Sequence, residues 1–74
     1  MTYEDYFDWA EEYRSQLDVL VKKIAKRIAF RKKTNINHPM NEAILSSLYE
    51  MRRECEKTYI ILRKKAEKIK RDEA

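Results

Sequence analysis

Cys55 and His38 are the two side chains here that could serve as a nucleophile or a transition-metal ligand, and neither has useful company. A structural zinc site draws on four cysteine or histidine ligands set in close pairs, and this chain holds one of each, with no acids at ligand spacing around His38. A cysteine nucleophile needs a base within hydrogen-bond reach, and no histidine stands at helical spacing from Cys55. His38 precedes Pro39 and reads as a turn or capping residue. The chain has no glycine, which excludes phosphate-binding loops and dinucleotide fingerprints, whose tight backbone needs it. The carboxylates fall at solvent-face spacings. No catalytic residue, metal or cofactor is expected, and the chain does not read as an enzyme.

The strongest local chemistry is cationic. Residues 19–33 carry Lys22, Lys23, Lys26, Arg27, Arg31, Lys32 and Lys33 on an amphipathic pattern, in a chain of net charge +4. Such a segment can meet nucleic-acid phosphates. Its apolar residues, however, continue a longer stripe and are committed to packing. Phe30 is its one aromatic for base stacking. The single turn separates helices far longer than those of a helix-turn-helix. Nucleic-acid binding is therefore the second reading.

The elements that position these residues are two helices. Without glycine the chain has few sites for tight turns, which disfavours sheet folds and suits long helices. Its 41% charged residues do not imply disorder, because the apolar residues are regularly spaced. Thr2 and Asp5 form a capping pair. Tyr3, Tyr6, Ala10, Tyr13, Leu17, Leu20, Val21, Ile24 and Ile28 then recur in helical steps along one face. Residues 34–40, around Pro39 and two asparagines, break the pattern. Ile44, Leu48, Met51, Cys55, Tyr59, Leu62, Ala66 and Ile69 make a second stripe. The expectation is one all-α domain over residues 1–74, with helices at about 3–33 and 41–71 and a turn at 34–40.

Charge favours an antiparallel hairpin. Residues 1–18 hold six acids and one base, residues 19–40 seven bases and no acid, and residues 57–71 seven bases and one acid. Folding back sets the acidic start of the first helix beside the basic end of the second, and Lys22 to Lys33 near Glu42, Glu50, Glu54 and Glu56. The tyrosines at the start are expected to pack on Ile61, Leu62, Ala66 and Ile69.

Two helices cover only one seam between them, and a chain this small buries little apolar surface. Trp9 and Phe7 flank the main stripes and are candidates for outside contacts, and Phe30, Val19, Tyr49, Ile60 and Ile61 point well away from them. This predicts a second interface, and pairing of hairpins into a four-helix bundle. Trp9, Phe30, Tyr49, Ile60 and Ile61 are the expected protein-interface residues of a homodimer that also binds another protein. No stretch reaches the length of a membrane span, and a cytoplasmic protein is expected.

The segment Leu48-Tyr49-Glu50-Met51-Arg52-Arg53-Glu54-Cys55, in a lysine-rich chain that opens Tyr3-Glu4-Asp5-Tyr6, resembles the small hypothetical helical proteins of Gram-positive prophages and conjugative elements. The resemblance implies an accessory, regulatory or anti-defence protein that acts by binding. Ser15-Gln16-Leu17-Asp18-Val19-Leu20-Val21 is similar to a motif of the sporulation phosphatases, which are also helical hairpins. It lies here in the first helix rather than the second and lacks the glutamate after Gln16, so that function is not carried over.

Overall fold

The computed structural model describes residues 1–35 and 38–73. Its order is α1, Tyr3–Thr34, then α2, Pro39–Glu73, and no strand occurs among the described residues. Ile36 and Asn37, in the middle of the expected turn, lie outside the described residues, as does Ala74.

Both ends of α1 are set by local chemistry. Thr2 is extended at φ −88° and ψ 172°, and its hydroxyl accepts from the Asp5 N–H at 3.3 Å. The Thr2 N–H in turn donates to Asp5 Oδ2 at 2.9 Å, completing the capping box. The Thr2 backbone N–H first, and its hydroxyl second, hold the Asp5 carboxyl below its ordinary value of 3.8. At the other end Asn35 adopts the left-handed conformation, φ 55° and ψ 27°, and its N–H donates to the Arg31 carbonyl at 3.0 Å. Helices usually place glycine there; asparagine is the next best choice in a chain that has none.

α2 begins at Pro39, close to the start expected at about residue 41. Proline suits a first helical position because its fixed φ is helical and its missing N–H would have been unpaired there. The Glu42 N–H closes the first turn on the His38 carbonyl at 2.9 Å.

The helices pack antiparallel. Cross-helix partners fix the register: Cys55 Sγ to the Tyr13 carbonyl, Asn41 to the Arg27 carbonyl, Arg31 to Glu42, and Arg63 over Phe7, pairs whose numbers sum to between 68 and 73. The result is a rod of 56 × 14 × 14 Å with a radius of gyration of 16.8 Å. A globular chain of this length would have about 11 Å. Its core is accordingly a line of residues rather than a volume.

That line is Ala10 and Ile24 from α1 with Asn41, Leu45, Leu48, Cys55, Leu62 and Ala66 from α2. Ile24, Leu45 and Leu48 form its apolar cluster, flanked by Leu20, Ile28 and Ile44. Leu48, Cys55 and Leu62 recur every seven residues, the period of supercoiled helices. The seam therefore lies slightly round from the expected stripes. Leu45, outside the expected stripe, is 4% exposed, whereas Met51 and Val21, both expected inside, are 55% and 46% exposed.

Candidate interaction surface

The five expected interface residues are all accessible, but they do not form one patch. Phe30 borders a groove between the helices with Lys23, Lys26, Arg27, Ile44 and Leu48. Tyr49 lies on the opposite side with Arg52, Arg53 and Glu56. Ile60 shares that side, lining a groove with Leu17, Val21, Arg52, Glu56 and Tyr59. Ile61 is one helical step round from Ile60, on the ridge of Thr58 and Lys65, and Lys65 covers Tyr6 on the Phe30 side. Trp9 is spaced by sevens from Gln16, Lys23 and Phe30, which places it on the Phe30 side too. The structure thus sorts them into Trp9, Phe30 and Ile61 on one face and Tyr49 and Ile60 on the other.

The first face has an uncharged centre. Ser15, Gln16, Val19, Leu20, Met51 and Cys55 line a groove of about 430 Å³ near the middle of both helices. That volume would suit a small ligand, but a binding or catalytic pocket also needs convergent polar groups. The groove offers one hydroxyl, one carboxamide and one thiol. The thiol is turned inward, its Sγ 3.3 Å from the Tyr13 carbonyl, and burial pushes it above its ordinary value of 9.0. A neutral thiol is a poor nucleophile. Among the described residues no cluster of three or more histidines, cysteines or acids could hold a metal. Nor is any described helix long and apolar enough to cross a membrane.

The electrostatics differ from the expected pattern of ion pairs. Among the described residues the pairs are Arg14–Glu11, Arg31–Glu42 and Lys57–Glu54, and only Arg31–Glu42 joins the two helices. Arg31 Nη1 reaches both Glu42 carboxylate oxygens at 3.4 Å. At the terminal end the basic side chains of α2 lie over aromatic rings of α1 instead of its acids. Arg63 stands 5.2 Å from the Phe7 ring centre, Lys70 5.3 Å from Tyr3, and Lys65 5.9 Å from Tyr6. Phe7 and Tyr3 also pack together at 5.9 Å. Ile61, 54% exposed, does not join the packing expected of it there.

The seven cations of the basic segment are divided similarly. Arg31 is half-buried in its pair with Glu42; Lys22, Lys23, Lys26, Arg27, Lys32 and Lys33 are exposed. Lys23, Lys26 and Arg27 share the Phe30 groove, so cationic and apolar groups alternate there rather than forming a purely basic strip.

Two further exposed apolar residues, Val21 and Met51, were not legible as surface residues, unlike the exposed Met40. Val21 and Met51 belong by spacing to their stripes, and only the position of the opposing helix excludes them. Met40 stands in the expected turn. Comparison of the chain with protein-family profiles, with curated proteins and with solved structures finds no match.

Proposed function

We propose that this chain is a non-catalytic interaction protein, a helical hairpin that pairs with a second copy into a four-helix bundle and binds a protein partner. The observation that carries this reading is the apolar surface left outside the seam. Trp9, Val19, Val21, Phe30, Met51, Ile60 and Ile61 are all exposed on a rod whose core is a single line of residues. Apolar side chains left exposed on both faces of so thin a rod mark it for association. The resemblance to proteins of mobile elements supports an accessory or regulatory role of this type, in the cytoplasm.

Light scattering on a sizing column at about 0.15 M salt tests the reading. A mass near twice 9.1 kDa is expected. Ile60→Glu combined with Ile61→Glu should shift that mass and weaken partner binding. A folded double variant with unchanged mass and binding would overturn it.

The second reading is a dimeric hairpin that binds nucleic acid. It is favoured by the exposed cations Lys22, Lys23, Lys26, Arg27, Lys32 and Lys33, which have no acid partner among the described ion pairs. Charge reversal at Lys23 and Lys26 abolishes polyanion binding on this view and spares protein binding on the first.

A further inference from the structure

The outward ridge of α1 is its own electrostatic complement. Asp8, Glu12, Ser15, Val19, Lys22, Lys26 and Phe30 follow one another in steps of three and four, so they share one side of the helix. Every one of them is exposed, and none of the charged ones enters an ion pair among the described residues. Turned end for end about a point midway between Ser15 and Val19, the ridge places Asp8 against Lys26 and Glu12 against Lys22. Ser15 and Val19 fall at the centre, where the groove they line with Met51 carries no charge.

We infer that two copies associate through this face with α1 antiparallel to the α1 of the second copy, about a two-fold axis crossing the middle of the helix. The inference rests on the self-association proposed above and adds its geometry. An interface of this symmetry must be self-complementary, residue i meeting j wherever j meets i. The ridge meets that condition twice, at both ends of an uncharged centre.

α2 meets it independently. Its ridge on the same side runs Met40, Ile44, Ser47, Met51, Glu54, Thr58 and Ile61, again in steps of three and four. The axis through residue 17 of α1 crosses α2 near residue 53, because cross-helix partners sum to about 70. About that point Ile44 pairs with Ile61, Ser47 with Thr58, and Met51 with the stem of Glu54. The axis thus brings opposite charges together along the outer side of α1, and the α2 ridge, turned less far from the seam, lies at the flank of that contact, where Val19 and Phe30 share grooves with Met51 and Ile44.

Two other pairings fail on the same residues. Parallel α1 helices would set Asp8 beside Asp8 and Lys26 beside Lys26. Packing α1 on the second copy's α2 in the hairpin's own register would set Lys23 and Lys26 against Ser47 and Ile44, where there is no acid. Exposed ion pairs contribute little energy, but repulsion against the wrong arrangement selects the right one.

The test uses D8K/E12K and K22E/K26E in the full chain, with helicity followed by circular dichroism and mass by light scattering. The native chain is expected near twice 9.1 kDa and each variant alone at 9.1 kDa. An equimolar mixture of the two should return to the doubled mass, since an all-cationic ridge then meets an all-anionic one. The chain with all four substitutions, which restores the pattern with its signs exchanged, should also dimerise alone, so a misfolded single-sign variant does not hide the answer. A native dimer whose single-sign variants remain dimeric, or whose mixture and fourfold variant stay monomeric, overturns this geometry while self-association stands. A monomeric native chain overturns both.

Discussion

The side-chain amide of Asn41 donates to the main-chain carbonyl of Arg27 at 3.2 Å, tying the first turn of α2 to the last part of α1. Asn41 is 3% exposed, and its carbonyl oxygen has no protein partner. A buried carboxamide on an otherwise apolar seam fixes register, because sliding the helices would strand it. The Arg27 carbonyl belongs to a helix and does not depend on this bond.

Asn41→Leu should therefore leave stability nearly unchanged, since it removes the donor together with the unpartnered oxygen. Asn41→Asp should cost about 1–3 kcal/mol, because an acceptor would then face the Arg27 carbonyl in a buried position. Urea denaturation at one fixed protein concentration measures both. If the aspartate variant is as stable as the leucine variant, the hydrogen bond does not hold the turn end together.

What could be read from the sequence was whatever depends on near neighbours. Thr2 and Asp5 are three residues apart, and their capping box follows from residue type alone. Pro39 likewise ends one segment and starts the next. The hairpin and its direction followed from two long stripes and segregated charge. Which of two adjacent apolar residues faces the seam did not follow. Ile44 and Leu45 are equally suited to it, and the opposing Ile24 decides for Leu45. The cations over Tyr3, Tyr6 and Phe7 were hidden for a related reason. Composition gives the signs of the two helix ends, but only the register determines that Arg63 and Lys70 arrive at rings rather than carboxylates. The interface residues were legible as off-stripe, and their division between two faces was not, because Ile60 and Ile61 are sequence neighbours that point apart.

The Cys55 thiol supplies a pH test. Burial raises it above 9.0, so the folded state favours the protonated form. Its contribution to stability is complete below the unfolded value and fades as pH rises through the higher folded one. At pH 8 the folded chain should react with an aromatic disulfide reagent more slowly than the chain in denaturant. If two copies associate as proposed, dilution into the monomer range should speed labelling, because that association would cover the groove that Cys55 lines. Equal rates folded and denatured would show that the thiol is open to solvent.

Ile60 and Ile61 should separate in single substitutions. Ile61 faces Ile44 of the second copy across the inferred axis, so Ile61→Glu should weaken the dimer by tenfold or more, about 1.4 kcal/mol. Ile60 shares the opposite face with Val21 and Tyr59, and Ile60→Glu should leave the dimer intact. Sedimentation equilibrium of the two variants reads this directly. The reverse order of effects would move the interface to the Tyr49 face.

Arg63 over Phe7 closes the terminal end of the rod by a different force from the ion pair at the turn. A cation above a ring is attracted by the ring's quadrupole and loses less hydration than it would in a full ion pair. A double-mutant cycle with Phe7→Leu and Arg63→Gln should return a coupling of about 0.5–1 kcal/mol. The corresponding cycle on Arg31 and Glu42, whose side chains are 38% and 34% exposed, should shrink between 0.1 and 1 M salt, because exposed charges are screened over a few ångströms at the higher ionic strength. The Phe7–Arg63 coupling should shrink less, since part of it is contact between the arginine stem and the ring. A coupling at Phe7 indistinguishable from zero would mean that Arg63 adds nothing to the packing of that end, which Ala10, Leu62 and Ala66 and the contacts of Lys70 with Tyr3 and Lys65 with Tyr6 would then hold.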